Sequence, residues 1–452
     1  MRTPSRREFL AGLVGSGLAA WPLLAGAQNE VVTPVALSPP PQGYAAEAAR
    51  LTGAMQRAFW NAQTAQYRAP VRSAETVDSE GAHNNGYVLW PCLLGFFALV
   101  EAEKTVPGRY AAPMRAVFNG LEAYFDPEEH AYNAWLRFPG NNDKYFDDNA
   151  WLVIALVEAF EATKLAAYRE RAIAINERFL TRGWDASGRP GGQRWGTDPT
   201  KPGTDDHNAC STASAALAAL GLARLGVNRQ ANLRRAEAAL DWIVRRLRDT
   251  DGLIQDGLHA PDWKVMPTKW TYNTGAPIRA YVEHHQLTGD KASLEEANRL
   301  ARAATDRTKR LYDGLVRDPE RRFWYDSSFF VPHLVEGLLA LCRVTGEEAL
   351  RAEVRRNANY AYQYLRDPSD GLYWRNWRLW RIGAAQVAAW RRLTGQEQSL
   401  EPDEAERSKE SRYDGVPLAE RPLVKTLLAN AGMARLFWLL AQDGNVRRQR
   451  TV

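Results

Sequence analysis

Cysteine and histidine are scarce in this chain of 452 residues, which has three of the former and seven of the latter. Cys92, Cys210 and Cys342 are odd in number and lie in apolar stretches, which indicates small buried side chains and no disulfide framework. His284 and His285 are neighbours on a predicted helix and cannot face one ligand sphere, and no other histidines or cysteines have the spacing of metal ligands. The sequence therefore predicts no metal site.

Charge of one sign and long apolar runs are lacking as well. The 58 basic and 53 acidic residues nearly cancel, and no basic run alternates with aromatic residues, so a nucleic-acid partner is not expected. After residue 27 no segment of about twenty apolar residues occurs, which predicts no stable membrane insertion of the mature chain. Strand-type alternation of useful length is also missing, and this argues for an all-α fold.

The N-terminus has the pattern of an export signal. Paired arginines at Arg6 and Arg7 precede an apolar stretch over 11–24 and three small residues typical of a cleavage site. The segment 1–27 resembles a twin-arginine signal and predicts a periplasmic or secreted protein. A membrane anchor is the alternative, but the apolar stretch is short for a span and contains three glycines and a proline.

Helical periodicity begins after a Pro-rich linker over 28–42. It predicts one folded domain over 43–443, followed by a basic tail over 444–452. Within the domain thirteen helices are predicted, over 44–62, 86–102, 110–124, 148–163, 166–180, 208–225, 229–248, 275–287, 291–312, 329–345, 347–365, 383–393 and 423–442.

The loops before the even-numbered helices are long and rich in Trp, Tyr, Asn and Asp, whereas those before the odd-numbered helices are short. Even-numbered helices begin about 50 to 65 residues apart, which indicates six repeats of one helical hairpin. Six hairpins can close into a double ring with an additional C-terminal helix, and the inner helices would then all begin at one cleft. An open solenoid is the alternative, but such an array has no special reason to stop at six.

Two adjacent carboxylates, Asp147 and Asp148, stand in the segment YFDDNAW (145–151) at the start of the fourth helix. If both are partly buried, they resist simultaneous ionisation, which leaves a carboxylate beside a carboxylic acid near neutral pH. A glycosidase needs this pair, one group to attack or stabilise the anomeric carbon and one to protonate the leaving oxygen. The alternative is a structural helix start, because aspartate in the first turn caps free N–H groups.

Polar and aromatic residues of the same loops are candidates for substrate binding. Helix capping explains Asn273 but leaves Trp270 and Tyr272 unexplained. His207 beside Asn208 can hydrogen-bond a hydroxyl group, although a lone histidine near a helix start is more often structural. The other rings are stacking platforms or core. The candidates are Asn84, Asn85, Tyr145, Trp195, His207, Asn208, Asp256, Trp270, Tyr272, Asn273, Trp324, Tyr325 and Trp374.

A series of motifs over residues 85–395 resembles glycoside hydrolase family 76. The motifs are YFDDNAW (145–151), GGQRW (191–195), GLIQDG (252–257), TYNTG (271–275) and TGD (288–290). The resemblance implies an (α/α)6 barrel that hydrolyses α-1,6-linked mannan with retention of configuration and without a metal. It also implies that Asp147 is the nucleophile and Asp148 the general acid/base, with Trp195, Tyr272 and Asn273 at the sugar subsites.

Two departures from the family pattern lie towards these subsites. Thr274 stands where many members have Gln, and FFVPH (329–333) replaces an expected Phe-Lys-Gly segment. The sequence thus predicts an exported, monomeric, retaining and endo-acting α-1,6-mannanase that needs no cofactor. Action on another α-mannoside and mannosyl transfer are alternatives at the same site.

Three further alternatives use the same barrel. An enzyme for uronic-acid glycans needs basic residues aimed at a carboxylate, and the candidates are Arg194, Lys264, Lys269 and Arg322. A sugar epimerase needs two histidines as acid and base, and the candidates for this pair are His207 and His333. A non-catalytic glycan-binding barrel would keep the stacking residues and tolerate Asp147→Asn.

Overall fold

The computed structural model describes residues 37–68, 88–136 and 143–450, so the predicted signal over 1–27 and the candidates Asn84 and Asn85 lie outside the described residues. The described part contains thirteen α-helices, α1 Gly43–Phe59, α2 Leu89–Thr105, α3 Ala111–Leu121, α4 Phe146–Thr163, α5 Ala166–Arg178, α6 Ala209–Arg224, α7 Arg229–Leu247, α8 Thr271–Thr288, α9 Lys291–Thr305, α10 Val331–Thr345, α11 Glu348–Tyr364, α12 Ala384–Thr394 and α13 Leu427–Arg450. Within these ranges, none of the helices combines the length and the apolar character that a membrane crossing requires.

Six helices are buried on nearly every side at least through their N-terminal halves, and in α2, α4, α6 and α10 the sequence is predominantly apolar all round. In α2, for example, every residue from Leu89 to Glu103 is buried. The six are α2, α4, α6, α8, α10 and α13, and each packs against the next, with α13 returning to α2. The inner ring is therefore closed, and the predicted all-α (α/α)6 barrel is confirmed.

The outer ring consists of the amphipathic helices α1, α3, α5, α7, α9 and α11, and each is followed by a short antiparallel pairing. The pairings are β1 Trp60–Asn61 with β2 Gln66–Tyr67, β3 Phe125–Asp126 with β4 Ala131–Tyr132, β5 Trp184–Asp185 with β6 Gly192–Gln193, and the isolated bridges Arg248 to Ile254, Tyr312 to Trp324 and Arg366 to Tyr373. This recurrence shows the repeat that the loop pattern predicted. A three-stranded sheet, β7 His207–Asn208, β8 Gly257–His259 and β9 Lys264–Met266, joins two repeats.

The sixth repeat is built differently from the one we expected. The helix over 383–393 was expected to be the last inner helix, with the C-terminal helix as the additional one. Instead α12 packs on the 3-10 turn Leu379–Arg381 and buries only four residues, whereas α13 is buried through most of its length. The additional helix is thus α12, and α13 closes the ring and continues to Arg450, into the segment predicted as a tail.

Three inner helices are preceded by a buried lysine that pairs with the turn of the same repeat. The pairs are Lys144 with Asp126, Lys269 with Asp249 and Asp251, and Lys425 with Asp367 and Asp370. Because a buried lysine needs a partner for its charge, these pairs fix where each inner helix begins.

Close contact between α8 and α10 also depends on glycine. A Cβ atom at Gly275 would lie 2.4 Å from the Cα of Leu334, and one at Gly337 would lie 2.4 Å from the carbonyl oxygen of Gly275. The two backbones touch here because neither residue has a side chain. The N-termini of α8 and α10 are thereby brought side by side at the face where the inner helices begin.

Candidate active site

A cleft of about 590 Å³ opens at the N-termini of the inner helices. Aromatic rings form much of its lining, namely Trp90, Trp151, Trp195, Trp270, Tyr272, Phe329 and Phe330. Its polar groups come from Asp147, Asn208, Cys210, Asp256, His259, Lys264, Thr268, Ser327 and His333. Aromatic faces with a few polar groups between them suit a sugar, which has an apolar ring face and hydroxyl groups at its edge.

Asp147 reaches this cleft from the first turn of α4. The helix begins at Phe146, after an extended Tyr145, so both aspartates fall in its first turn. Oδ1 of Asp147 accepts a hydrogen bond from the backbone N–H of Asp148 at 2.9 Å. Oδ2 accepts from the indole Nε1–H of Trp195 at 3.2 Å and from the thiol of Cys210, whose Sγ lies 3.6 Å away. The backbone N–H, the indole and the thiol, all neutral donors, therefore orient this carboxylate.

Asp148 is more deeply placed than Asp147. Its exposed fraction is 1%, against 7% for Asp147, and among the described residues it is not part of the cleft lining. The following residue ties the turn to its repeat, since the Asn149 side chain accepts from the N–H of Tyr132 at 2.7 Å and donates to the carbonyls of Tyr132 and Tyr145. The helix start is thus held rigidly beneath the two carboxylates.

Trp195 is positioned by backbone hydrogen bonds and by ring packing. Its N–H donates to the carbonyl of Asp206 at 2.8 Å, and its carbonyl accepts from the N–H of Phe146 at 2.8 Å. The ring of Tyr145 lies 4.8 Å from the indole, centroid to centroid. Tyr145 therefore supports Trp195 from behind and is not itself part of the cleft lining.

The start of α8 supplies the opposite part of the cleft. Tyr272 packs against Phe330 with centroids 4.2 Å apart. Asn273 is fully buried, and its Nδ2 donates to Oδ1 of Asp256 at 3.3 Å. Burial, and after it the nearby negative groups, raises the pKa of Tyr272 well above its ordinary value of 10, so the phenol stays protonated. The cleft thus has a carboxylate at Asp256 and a hydroxyl at Tyr272 for binding sugar hydroxyl groups.

The model of glycosyl hydrolase family 76 matches residues 44–399, most of the chain. The chain belongs to this family. It is accordingly a glycoside hydrolase, as the sequence predicted. The meiotically up-regulated gene 191 protein of Schizosaccharomyces pombe is 28% identical over 422 residues, covering 89% of this chain and 93% of that protein.

Two solved structures share the fold. A family 76 α-mannanase from Bacteroides thetaiotaomicron has a TM-score of 0.68 and 17% identity, covering 90% of this chain and 97% of its own. An inactive variant of an α-1,6-mannanase from Salegentibacter sp. HEL1_6, with two consecutive aspartates replaced by asparagine and α-1,6-mannotriose bound, has a TM-score of 0.65 and 19% identity, covering 88% and 99%. At these identities, below 20%, the similarity shows that this hydrolase shares the barrel fold of those two structures and shows nothing further about it.

Among the predicted binding residues of the family 76 hydrolase, His207 faces away from the cleft. Its Nδ1 pairs with the carbonyl of Gly191 at 2.6 Å, and its ring packs against Trp263 with centroids 5.1 Å apart. Burial lowers the pKa of His207 below 6.5. Because Trp263 lies between β8 and β9, His207 supports the hairpin that forms one wall of the cleft.

Trp324, Tyr325 and Trp374 also lie outside the cleft lining. Trp324 is 1% exposed within the main core. The ring of Tyr325 lies under the guanidinium of Arg378 at 3.9 Å, and that of Trp374 lies under the ammonium of Lys425 at 3.7 Å. These rings pack the fifth and sixth repeats, which was the alternative considered for them.

The barrel interior of this hydrolase holds a network of paired charges. Glu158 accepts from Lys104 at 3.0 Å and from Arg279 at 2.6 Å. Glu336 accepts from Arg279 at 2.7 Å and from Arg435 at 2.6 Å. Glu158 follows Asp147 on α4 by about three turns, roughly 16 Å along the axis, so the network lies well inside the barrel.

Three carboxylates of this network have the spacing of a cation site. They belong to Glu101, Glu158 and Glu336 and have oxygens within 4.8 Å of one another. Lys104, Arg279 and Arg435 already neutralise them. Since no charge is left for an ion to balance, we assign no metal here, and the described part of the chain has no second group of this kind.

His333 connects the cleft with the network. Its ring lies 4.1 Å from Trp151 at the cleft, and its Nδ1 accepts from Arg435 at 3.1 Å. Burial, then the charges of Arg435 and Arg279, hold the pKa of His333 well below 6.5, so the imidazole is neutral. The structure does not bring His333 and His207 together, because only His333 lines the cleft.

Several cleft residues were missed by the sequence analysis. Trp90 and Trp151 lie in the first two turns of inner helices, and Cys210 is the second residue of α6. A search for aromatic or sulfur side chains in those first turns would have found them. The hairpin of β8 and β9 was hidden because its strands have only three residues each.

Proposed function

We propose that this glycoside hydrolase cleaves α-1,6-mannosidic linkages in mannan by an endo-acting, retaining mechanism. The observation that carries the proposal is the carboxylate of Asp147, which faces the cleft and is oriented by three donors beside a second carboxyl group, Asp148. A related barrel with two consecutive aspartates replaced is inactive and binds α-1,6-mannotriose, which supports the same substrate here.

In the proposed reaction an oxygen of Asp147 attacks the anomeric carbon while Asp148 gives its proton to the departing glycosidic oxygen. A covalent glycosyl ester on Asp147 results, and the leaving sugar departs as an alcohol. Asp148, now a carboxylate, takes a proton from water, whose oxygen attacks the anomeric carbon and releases Asp147. Two inversions give overall retention.

The first turn of α4 favours this chemistry. Free N–H groups at a helix N-terminus stabilise a negative charge, and Asp147 uses one of them. Trp195 holds the second oxygen of the carboxylate from a different loop. Tyr272 and Asp256 would bind hydroxyl groups of the sugar, and the indoles of the cleft would stack on its faces.

Endo action is proposed because the cleft is larger than one sugar requires. Its volume of about 590 Å³ lies within the range of pockets that hold drug-sized ligands, which are larger than a single sugar. The lining runs from Trp90 of α2 through the β8 and β9 hairpin to Phe330 beside α10. A mannan chain can therefore occupy subsites on both sides of the bond that is cut.

Most of the basic residues that the uronic-acid alternative requires do not line the cleft. Lys269 is 2% exposed and paired with two aspartates, and Arg322 donates to backbone carbonyls. Arg194 does not line the cleft. Among the described residues that line it, Lys264 is the one lysine or arginine. A single exposed lysine does not form the bidentate site that a carboxylate favours.

The decisive experiment is product analysis on linear α-1,6-mannooligosaccharides with the wild type, Asp147→Asn and Asp148→Asn. We expect cleavage by the wild type, an α-configured first product, and loss of cleavage in both variants. Glu161→Gln is the control, because this acid forms a pair with Arg224 that is about one-third exposed and lies far from the cleft. A folded wild type that leaves these substrates intact would reject the proposal.

We also propose that the enzyme is exported as a monomer through the signal over 1–27. Replacing Arg6 and Arg7 by lysine should retain the precursor in the cytoplasm, measured by fractionation and by the mass of the N-terminus. Recovery of an uncleaved wild type in the cytoplasm would contradict export. Light scattering of the mature protein measures its molar mass, and the mass of a dimer would contradict the proposed monomer.

A further inference from the structure

Of the three cysteines, one lies at the carboxylate proposed to react. Cys210 lines the cleft, and its Sγ is 3.6 Å from Oδ2 of Asp147. The other two thiols donate to backbone carbonyls away from the cleft, Cys92 to Tyr67 at 3.2 Å and Cys342 to Glu347 at 3.4 Å. Only Cys210 among the three therefore contacts the proposed catalytic machinery.

Oδ2 of Asp147 receives donors from two separate elements. Trp195 belongs to the loop before β7, and Cys210 to the first turn of α6. Both belong to a small apolar cluster apart from the main core, together with Tyr145 and Tyr272. The carboxylate is thus tied to α6 as well as to its own helix, and this restricts its rotation.

The segment that carries Cys210 also faces the ligand space. Asn208, two residues earlier, lines the cleft and is 7% exposed. Its Oδ1 is buried and has no hydrogen-bond partner among the residues that the structure describes. A buried amide oxygen without a partner costs free energy unless a ligand satisfies it. The turn from 208 to 210 therefore presents one group to a ligand and another to Asp147.

We propose that Cys210 is a positioning residue whose S–H donates to Oδ2 of Asp147 and, with the indole of Trp195, holds the carboxylate for attack on the anomeric carbon. The inference rests on the proposed role of Asp147. A thiol is a weak donor. It orients the carboxylate without neutralising it, whereas a cation would stabilise the ionised ground state and lower the gain on reaching the transition state.

Variants at position 210 separate donation from packing. Cys210→Ser keeps a donor and should retain most of kcat, whereas the apolar Cys210→Val should lower kcat by about tenfold with little change in KM. The separation of kcat from KM, together with the recovery of kcat in Cys210→Ser, distinguishes loss of the donor from a general packing defect. Cys342→Ser is the matched control and should leave kcat unchanged. Wild-type kcat in Cys210→Val, or equal losses of kcat in Cys210→Val and Cys210→Ser, would overturn the proposal.

A second readout does not depend on turnover. Methyl methanethiosulfonate should label Cys210 in the folded full chain, measured by mass spectrometry, and α-1,6-mannotriose should slow this labelling. In Asp147→Asn the labelling at pH 7 should be about five- to tenfold faster, because the carboxylate no longer disfavours the thiolate. Equal rates in wild type and Asp147→Asn would overturn the contact. Faster labelling in Asp147→Asn without mannotriose protection would support the contact and reject mannan as the substrate.

Discussion

Asp147 and Glu158 lie on the same inner helix about three turns apart, both almost fully buried, yet their partners differ in kind. Glu158 accepts from the cations Lys104 and Arg279. The donors that the structure gives to Asp147 are a backbone N–H, an indole and a thiol, all neutral. One helix thus carries a carboxylate held by cations inside the barrel and a carboxylate oriented by neutral donors at the cleft.

The difference separates an acid that stabilises the barrel from an acid suited to chemistry. Burial raises the pKa of Glu158, but the surrounding cations, above all Lys104 and Arg279, outweigh burial and hold it well below 4.5. Its charge is bound in salt bridges and cannot serve a substrate. The backbone N–H, the indole and the thiol at Asp147 fix the direction of oxygens that face the cleft, where an electrophilic carbon can reach them.

The largest expected effect is on activity at Asp147. Asp147→Asn should lower kcat on α-1,6-mannan by about 10³- to 10⁵-fold, because the amide cannot form the glycosyl ester. The midpoint of thermal unfolding should stay within a few degrees of wild type, since Asn has the same size and its amide oxygen can still accept from the donors of one carboxylate oxygen. A variant that keeps about a tenth of the activity would remove Asp147 from the nucleophile's role.

Glu158 should behave in the opposite way. Glu158→Gln should lower the free energy of unfolding by about 3–5 kcal/mol, because it leaves the buried Arg279 with uncompensated positive charge. The matched control is Glu161→Gln on the same helix, whose pair with Arg224 is about one-third exposed and should cost less than about 1 kcal/mol. Denaturant unfolding measures both. Equal losses in the two variants would refute the structural role of the network.

Trp195→Phe tests orientation alone. The variant keeps a ring against Tyr145 but loses the donor to Asp147, so kcat/KM should fall by about 10- to 100-fold. Trp324→Phe is the control, because Trp324 lies in the core and not in the cleft lining. It should lower stability and leave kcat/KM near wild type. Similar kinetic losses in both variants would show that packing, not donation, is at work.

Much of the fold could be predicted because inner and outer helices differ in local composition. The sixth repeat could not, since the helices over 383–393 and 423–442 show the same helical period. What distinguishes α13 is its packing on α1, at the other end of the chain, and on α2. A contact between chain ends leaves no trace in local periodicity.

The part of the site that comes from the loops before the inner helices could be predicted from the sequence. Asp147, Trp195, Asp256 and Tyr272 meet at the cleft because each lies in the loop that leads to an inner helix or in that helix's first turn. Trp374 occupies a similar place in its repeat, yet Lys425 covers it. Which ring is covered depends on the long sixth loop. Which face of α6 turns inwards depends on the rotation of that helix, so Cys210 was not predicted as a cleft residue.

Glu406 is a buried acid whose negative charge is less well compensated by nearby positive charge than that of Glu158. It accepts from the N–H of Asn376 at 2.7 Å and faces Arg375, with Asp403 nearby. Burial raises the pKa of Glu406 from 4.5 to about 7. The folded state therefore holds the proton more tightly than the unfolded state, so the contribution of this group to stability is full below pH 4.5 and declines as the pH rises to 7.

Glu406→Gln should accordingly stabilise the protein at pH 8 by about 1–3 kcal/mol and change little at pH 4, because the amide mimics the protonated acid. Denaturant unfolding at the two pH values measures the difference. The buried carboxylate of Glu158 is held by cations, so its replacement by glutamine should show no such gain in stability. A Glu406→Gln variant that is destabilised equally at both pH values would contradict the assigned direction.

The smallest effect is expected at Lys264, the cation of the described cleft lining. Its side chain is 82% exposed and pairs with the half-exposed Asp262, so water already screens its charge. If the substrate is a neutral mannan, Lys264→Ala should change kcat/KM by less than about twofold, at low and at high salt alike. Asp262→Asn is the matched control for the lost pair. A loss above about tenfold that salt suppresses would mean that the cleft binds an acidic glycan, since only a charged ligand gains from a screened surface cation.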